Sequence, residues 1–258
     1  MRSAKSLSLF TLLCISLFAR HLLAGQVSVA VAANFTDATR RLAPLFEQAT
    51  GHRLKISYGS TGKLYAQIEH GAPFEVFLAA DSARPQKAEQ TGLAVPGSRF
   101  IYARGRLALW SAKTGLFAAG EPYLKAGGFA HLAIANPKTA PYGLAAKEVL
   151  EHLGLWSDLQ ARLVRGDSIA QTFQFVATGN AEAGFVAYSQ VKGWQGEAGS
   201  VWLVPQDYYA PIDQAAVLLQ KGAHNPAARA FLEFLKGDAA RQVIEGFGYG
   251  VDKTTVTE

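Results

Sequence analysis

The sequence predicts an α/β protein of two lobes, each built on an open, mostly parallel sheet with helices on both faces. Segments of strand and helix character alternate along most of the 258 residues, which is typical of this class. Hydrophobic residues make up 49% of the chain and charged residues 17%, so a sizeable core is expected and disorder is not. The strands are also too many for one sheet of modest size.

The first residues have the features of an export signal. Arg2 and Lys5 precede an apolar run over residues 7–19, which is too short to cross a bilayer as a helix. Small residues follow, so we predict a signal peptide over residues 1–24. The only cysteine, Cys14, lies inside it. The exported chain would therefore have neither a disulfide nor a thiol nucleophile.

The charge of the exported chain is close to neutral. Loss of Arg2, Lys5 and Arg20 with the signal peptide lowers the formal charge from +5 to +2. Nucleic-acid binding requires a clustered basic face, so we expect no nucleic-acid partner. No later apolar run approaches the length that a membrane-spanning helix needs.

The elements follow one another in the order that an α/β fold needs. Residues 26–33 form a strand that leads directly into a helix over residues 35–50, which Pro44 bends but does not end. The residue pattern predicts further strands or helices over residues 53–59, 63–71, 74–81, 106–112, 131–137, 142–154, 169–179, 183–190 and 226–248. The last of these is predicted as a single amphipathic helix.

Two short segments are expected to carry the chain between the lobes. They are residues 102–106 and residues 208–212. Division at these points gives a first lobe of residues 25–103 plus 212–258 and a second lobe of residues 104–211.

Four junctions between a strand and a helix have small or hydroxylated residues: 33–34, 59–62, 140–143 and 167–169. A helix start offers unpaired N–H groups and a partial positive charge, so it binds anions without a lysine. Ligands of open α/β sheets bind at such strand ends. Because two junctions fall in each predicted lobe, a cleft between the lobes would gather four helix starts around one anion.

Four segments carry a resemblance to a known family: "VAVAANFTDA", "YGSTGKLYAQIEHGAPFEVFLAAD", "NPKTAPYGLAAKEVLEHLG" and "GNAEAGFVAYSQV". From about residue 26 to residue 250 the chain resembles the periplasmic molybdate-binding proteins of ABC importers. The resemblance implies a two-lobed periplasmic-binding-protein fold, type II-like, with the ligand cleft between the lobes. It also implies a receptor that captures molybdate, and tungstate too, and delivers it to a membrane permease with a cytoplasmic ATPase. Because two chain crossings between the lobes leave a cleft that can open and shut, we expect a monomer that closes on its ligand by hinge motion. No cofactor and no enzymatic activity are implied.

The same resemblance assigns the oxyanion to six residues: Ala33, Asn34, Ser60, Thr61, Tyr142 and Ile169. The side chains of Asn34 and Ser60 are expected to donate to the anion. Tyr142 and Ile169 are expected to offer main-chain N–H groups, so that the Tyr142 side chain matters little. The anion is held through its oxygens, with no direct bond between protein and metal.

One tyrosine is left out of this site. Some members of the family add a tyrosine from the strand that resembles residues 183–190, but the aligned residue here is Ala187 and the tyrosine is Tyr188. A shift of one residue along a strand turns the side chain to the other face. We therefore expect Tyr188 to pack elsewhere or to reach the surface.

Three other functions are weaker alternatives. The first is nucleotide binding through a phosphate loop. "SYGSTGKL" does not match that motif, because Ser57 and Leu64 stand where glycine and a hydroxyl residue are required. Lys63 is therefore expected to be a solvated residue rather than a phosphate ligand. The adjacent tyrosines Tyr208 and Tyr209 leave a ferric-iron protein of the same fold open, although packing at the lobe crossover is favoured. A sulfate receptor on the same scaffold also stays open.

A secreted hydrolase is the least favoured alternative. The chain has no G-x-S-x-G motif and no thiol after the predicted signal peptide, and its histidines are scattered without metal-ligand spacing. Each histidine is expected at the surface. Asp81 is expected to cap the helix that follows it rather than to act in catalysis.

Overall fold

Two five-stranded sheets form the framework of the protein. The structure is a computed structural model and describes residues 24–251. Apart from its final residue, the predicted signal peptide over residues 1–24 lies outside the described residues. None of the helices in the described part of the chain is both long enough and apolar enough to cross a membrane.

The first sheet combines strands from both ends of the described chain. Its strands are β1 (Gln26–Ala32), β2 (Arg53–Gly59), β3 (Val76–Leu78), β4 (Phe100–Gly105) and β10 (Ile212–Leu218). They lie in the order β2-β1-β3-β10-β4. Strand β1 is parallel to β2 and β3, whereas β10 is antiparallel to β3 and β4. The sheet is thus mixed rather than mostly parallel, because β10 returns to it from the other half of the molecule.

The second sheet repeats this arrangement. Its strands are β5 (Leu107–Ser111), β6 (Leu132–Ala135), β7 (Leu163–Gly166), β8 (Ala183–Ala187) and β9 (Ser200–Leu203). They lie in the order β7-β6-β8-β5-β9. Strand β6 is parallel to β7 and β8, and β5 is antiparallel to β8 and β9.

Eight α-helices lie between these strands along the described chain, and two more follow β10. They are α1 (Thr36–Thr50), α2 (Thr61–Glu69), α3 (Ala83–Gln90), α4 (Gly120–Ala126), α5 (Pro141–His152), α6 (Trp156–Leu159), α7 (Ile169–Ala177), α8 (Tyr188–Gly193), α9 (Pro226–Lys236) and α10 (Asp238–Gly246). Here lobe I denotes the first sheet with α1–α3, α9 and α10, and lobe II denotes the second sheet with α4–α8.

The chain passes between the two sheets twice. It leaves β4 at Gly105 and enters β5 at Leu107, so one residue, Arg106, makes the first crossing. Residues 204–211 make the second crossing, from β9 to β10. Strand β4 extends two residues beyond the predicted end of the first lobe at residue 103.

Two helix predictions had different outcomes. Helix α1 continues through Pro44, as predicted. The single helix predicted over residues 226–248 is wrong, because Gly237 lies in an extended conformation and separates α9 from α10. Glycine is a poor helix former, and Asp238 gives the new helix start a favourable negative charge.

Each sheet is covered by apolar side chains that hold the strand ends in place. In lobe I, Phe46 of α1 is fully buried and packs edge-to-face on Phe231 of α9, with ring centroids 5.2 Å apart. In lobe II, Trp110 of β5 is fully buried and stacks on Phe173 of α7 at 4.5 Å. Large rings that are packed in this way fix the helices against the sheets. The helix starts therefore have defined positions.

Candidate functional site

All six predicted site residues line one cavity between the lobes. The cavity is small in this form, with about 10 Å³ open to the centre of a water-sized molecule. Its lining residues are Ala32, Ala33, Asn34, Ser60, Thr61, Ala80, Ala140, Pro141, Tyr142 and Ile169. Among the described residues that line it, none carries a charge.

The lining residues lie where strands end and helices begin. Thr61 and Ile169 are the first residues of α2 and α7, and Tyr142 follows Pro141 at the start of α5. Asn34 lies in a short 3₁₀ turn, Ala33–Phe35, that joins β1 to α1. The first N–H groups of a helix have no partner within that helix and carry its partial positive charge. This arrangement suits an anion that is held by neutral donors.

Ser60 has a buried hydroxyl that lacks a hydrogen-bond partner. The residue is 4% exposed, and its Oγ is the unpartnered buried side-chain atom among the described lining residues. Leaving such a group unpaired costs about 1–3 kcal/mol. A ligand in the cavity would supply the missing acceptor.

Thr61 also has a proton to donate. Its Oγ1 accepts the N–H of Ala80 at 3.0 Å. Since this bond uses an acceptor site on the oxygen, the hydroxyl proton of Thr61 is still available. The two hydroxyls at the start of α2 therefore both suit a negatively charged ligand.

The Asn34 side chain differs from its prediction. Its amide nitrogen donates to Gln214 Oε1 at 2.9 Å and to Tyr249 Oη at 3.0 Å. An amide nitrogen has two protons, and both are therefore used within lobe I. In this structure, neither side-chain proton of Asn34 is left for a ligand in the cavity.

The Tyr142 side chain, which was expected to matter little, reaches from lobe II into lobe I. Tyr142 is 1% exposed, and its Oη accepts the Nε2 proton of Gln214 at 3.1 Å. Burial raises the pKa of Tyr142 well above its ordinary value, and it does the same for Tyr102 and Tyr249. At neutral pH these three residues are neutral hydrogen-bonding groups.

Six buried residues form a polar network behind the cavity, which we call the closure cluster: Asn34, Tyr102, Tyr142, Ser189, Gln214 and Tyr249. The Oε1 atom of Gln214 accepts bonds from Asn34 and from the Tyr102 hydroxyl, the latter at 3.1 Å. Ser189 of lobe II donates to the main-chain oxygen of Asn34 at 3.1 Å. The Tyr249 hydroxyl lies 2.9 Å from Ser189 Oγ. The cluster thus joins the two lobes through buried hydrogen bonds.

Sequence reasoning missed most of this cluster. Four members were not considered for the site, namely Tyr102, Ser189, Gln214 and Tyr249. The one available signal is a glutamine at the start of the apolar stretch "IDQAAVLL", where Gln214 is fully buried. Buried polar side chains are normally hydrogen-bonded, but the sequence does not show to what.

A second set of contacts joins the lobes near the surface, and we call these the mouth contacts. The N–H of Gly62 donates to the main-chain oxygen of Thr139 at 2.8 Å. A Cβ atom on Gly62 would lie 3.0 Å from that oxygen, so the close approach depends on glycine. Lys63 Nζ lies 2.8 Å from the carboxylate of Asp167. Lys63 was expected to be solvated, and it is instead half-exposed and paired across the lobes.

A third mouth contact lies beside the first two. Arg84 of lobe I donates to the main-chain oxygen of Lys138 in lobe II at 3.3 Å. Taken with the closure cluster, these bonds place direct contacts between the lobes on both sides of the cavity. The structure therefore represents a closed form.

Comparison with known proteins agrees with this geometry. The family model of the bacterial extracellular solute-binding proteins matches residues 27–250. The chain belongs to this family. The molybdate-binding protein ModA of Azotobacter vinelandii is 56% identical over 229 residues, which cover 88% of this chain and 91% of that protein. The ModA protein of Rhodobacter capsulatus is 52% identical over 226 residues and covers 88% of each.

A solved structure resembles this solute-binding protein over nearly its whole length. The periplasmic molybdate-binding protein of Azotobacter vinelandii superposes with a TM-score of 0.84 at 43% identity, covering 87% of this chain and 99% of that chain. The predicted two-lobed fold and the predicted resemblance to the periplasmic molybdate-binding proteins are both confirmed.

Tyr188 lies outside the cavity of this solute-binding protein, but the reason given for it was wrong. Strand β8 ends at Ala187, and Tyr188 is the first residue of α8. The guanidinium of Arg106 lies over its ring at 5.3 Å from the centroid. The position of Tyr188 is therefore set by a helix start and not by the alternation of a strand.

The two adjacent tyrosines pack at the second crossing, as predicted. Tyr209 is 6% exposed, and its Oη accepts the N–H of Leu107 at 3.1 Å. Tyr208 donates to a carboxylate oxygen of Glu121 at 2.9 Å and stacks on His152. Within residues 24–251, no group of three or more His, Cys, Asp or Glu side chains is placed to hold a metal ion.

Two other side chains that were weighed for catalysis have structural partners. Asp81 accepts the N–H of Arg84 at 2.9 Å and pairs with the guanidinium of the same residue, so it caps α3 as predicted. The prediction that every histidine lies at the surface is wrong for His52, which is 5% exposed. Its Nδ1 accepts the N–H of Gly25 at 3.0 Å.

Proposed function

We propose that this protein is a periplasmic receptor that captures molybdate, and tungstate equally well, in the cavity between its lobes. The observation that carries the proposal is the convergence of four helix starts and the unpartnered Ser60 hydroxyl on one uncharged cavity. The names of the relatives from Azotobacter vinelandii and Rhodobacter capsulatus support molybdate as the ligand.

In the proposed complex, each lobe supplies donors to the same anion. Ala33, Asn34 and Thr61 offer main-chain N–H groups from lobe I, and Tyr142 and Ile169 offer them from lobe II. Ser60 adds its hydroxyl proton. The oxygens of the anion accept all of these bonds, so no protein atom bonds the metal directly. Because the surroundings are buried and largely apolar, each such bond is stronger than it would be in water.

The donor set predicts which anions are rejected. Phosphate at neutral pH has an O–H group, and burying that group without an acceptor costs about 1–3 kcal/mol. Sulfate has the required charge but shorter bonds to its oxygens, so donors on rigid helix starts do not all reach it at once. Molybdate and tungstate have closely similar sizes, and the cavity barely separates them.

The rest of the proposed role follows from a receptor that opens and closes. The protein acts as a monomer without enzymatic activity or a cofactor, and it delivers its anion to a membrane permease with a cytoplasmic ATPase. After loss of the signal peptide over residues 1–24, lobe I, which includes β4 up to Gly105, moves as one body, and lobe II moves as the other. The crossings that join β4 to β5 and β9 to β10 form the hinge.

Titration calorimetry tests the proposal directly. The mature protein is titrated at neutral pH with molybdate, tungstate, sulfate and phosphate. We expect molybdate and tungstate to bind tightly and alike, sulfate to bind much more weakly, and phosphate to bind weakest. Tight sulfate binding with weak molybdate binding would make the protein a sulfate receptor. A coloured complex with Fe(III) and no affinity for any of the four anions would make it a ferric-iron receptor.

A further inference from the structure

The closure cluster contains one cross-lobe bond with unusual surroundings. Gln214 of β10 is fully buried, and its Oε1 accepts two bonds from within lobe I, from Asn34 and Tyr102. Its Nε2 donates to Tyr142 Oη on α5 of lobe II. The oxygen of this amide thus accepts hydrogen bonds from its own lobe, whereas the nitrogen donates to the other lobe.

The Tyr142 hydroxyl occupies a space that exists because residue 105 has no side chain. A Cβ atom on Gly105 would lie 2.2 Å from Tyr142 Oη and 2.8 Å from Gln214 Nε2. Gly105 is absent from the glycines with positive φ, so its backbone conformation does not require glycine. What requires glycine here is room for the hydroxyl, directly before the first crossing at Arg106.

Separation of the lobes would break the hydrogen bond between this amide and Tyr142. If Tyr142 withdraws with α5, Gln214 Nε2 loses the hydrogen-bond partner that lobe II gives it. An unpaired buried donor is unfavourable, so the closed form is favoured by the bond itself. The main-chain N–H of the same tyrosine is one of the proposed anion donors. An anion that holds Tyr142 in the cavity would therefore also favour the bond between its hydroxyl and Gln214.

We propose that Gln214, Tyr142 and Gly105 form a closure lock, in which the Tyr142 hydroxyl of lobe II enters a seat in lobe I when the lobes shut. Gln214 is a positioning residue and does not touch the anion. It holds Asn34 at the cavity and receives Tyr142 at closure. The lock rests on the proposed function insofar as the lobes close around an anion, but it operates between the lobes themselves.

Tyr142→Phe tests the lock because it removes the hydroxyl and keeps the ring and the main-chain N–H. The distance between the lobes is measured with spin labels on cysteines at Gln67 and Gln174, which are exposed residues on α2 and α7. The mature chain has no other cysteine, since Cys14 lies in the predicted signal peptide. We expect the ratio of closed to open molecules to fall about tenfold. Molybdate should also bind about tenfold more weakly, with the loss in faster dissociation.

Ser200→Ala is the matched control. It also removes a buried hydroxyl that accepts an N–H bond, here from Leu116 at 2.9 Å, but both residues belong to lobe II and lie outside the two crossings. We expect it to lower the melting temperature and to leave the label distances and the molybdate affinity as in the wild type. A general loss of packing would instead affect both variants alike.

A second variant fills the seat. Gly105→Ala places a methyl group where the hydroxyl lies, so it should favour the open form as Tyr142→Phe does. In the Gly105→Ala background, removing the hydroxyl should change the label distances and the affinity by less than twofold, since the lock is already broken. Far-ultraviolet circular dichroism checks that each variant is folded.

The outcomes separate the lock from the choice of ligand. If Tyr142→Phe has the wild-type label distances and the wild-type molybdate affinity, there is no lock. If Tyr142→Phe and Gly105→Ala have additive effects on the label distances and the affinity in the double variant, the lock is also overturned. If the wild type does not bind molybdate, the proposed ligand is wrong, while the label distances of the unliganded variants still decide on the lock.

Discussion

The two sets of bonds that join the lobes are alike in geometry and opposite in surroundings. In the closure cluster, Gln214 and Tyr142 are 0% and 1% exposed. At the mouth, the side chains of Lys63 and Asp167 are 49% and 73% exposed. Their contact distances are nonetheless similar, 3.1 Å in the first case and 2.8 Å in the second.

Distance therefore does not rank the contacts that close the protein. A buried donor that loses its partner has no water to replace it, which costs about 1–3 kcal/mol. An exposed ion pair exchanges its partner for water and is screened by salt, so it contributes about 0–1 kcal/mol. We therefore expect the closure cluster to control stability and closure, and the mouth contacts to make small adjustments.

The largest effect is expected from removing the centre of the closure cluster. Gln214→Leu leaves one Asn34 amide proton and the Tyr142 hydroxyl without their partner. We expect the free energy of unfolding to fall by about 3 kcal/mol, measured by urea denaturation. Gln67→Leu, at an exposed glutamine of lobe I, is the control and should change it by less than about 0.5 kcal/mol. Similar values for both variants would mean that burial does not distinguish the two regions.

The next prediction separates anion binding from cluster stability. Ser60→Ala removes a buried hydroxyl without a protein partner, so it should leave the free energy of unfolding unchanged or higher. A hydrogen bond to a charged group contributes about 1.5–3 kcal/mol, so molybdate affinity should fall about ten- to a hundredfold. Asn34→Ala should lower the free energy of unfolding and leave the molybdate affinity nearly unchanged, because the Asn34 side chain bonds Gln214 and Tyr249. Calorimetric titration and urea denaturation of both variants give the two quantities. If Asn34→Ala weakens molybdate as much as Ser60→Ala does, the amide turns toward the anion in the complex.

The fold was predictable to the extent that it depends on the local spacing of apolar residues along the chain. Helix α1 is amphipathic over its whole length, so its spacing shows that Pro44 lies inside it. The break at Gly237 was not predictable, because the apolar spacing continues across it and only the backbone at that glycine departs from a helix. The antiparallel β10 was missed for a different reason. The direction of a strand is set by the route of the chain between lobes, which local pattern does not contain.

The residues of the candidate site could be brought together from the sequence where they belong to helix starts. Their residues form short contiguous motifs, and all six of the predicted residues line the cavity. The closure cluster was not predictable, because its hydrogen bonds join residues far apart in sequence, such as Asn34 and Tyr249. The same distance in sequence hid the role of Asn34. The motif gives the residue type, while its buried partners decide where its protons go.

A smaller effect is expected from raising the pH, and the closure cluster contributes a defined part of it. Burial raises the pKa of Tyr102, Tyr142 and Tyr249 above the value of about 10 in an unfolded chain. A raised pKa gives stability that is complete below the unfolded value and is lost as the pH rises above it. At pH 10 the three tyrosines together should lower the free energy of unfolding by about 1 kcal/mol relative to pH 7.5. Urea denaturation of the wild type and of Tyr142→Phe at the two pH values isolates the part that Tyr142 contributes, about 0.4 kcal/mol.

The smallest effect is expected at the mouth. Lys63→Met removes one charge of the ion pair with Asp167 and keeps much of the apolar stem. Both side chains keep about half or more of their surface exposed in the closed form, so the pair contributes only about 0.3 kcal/mol to closure. We expect molybdate affinity to change less than twofold at low salt and to equal that of the wild type at about 0.5 M salt, where exposed charges are screened. Asp167→Asn should give the same result, because either change removes the same pair. Calorimetric titration at two ionic strengths measures both variants. A tenfold loss that persists at high salt would show that an exposed contact controls closure as strongly as the buried cluster does.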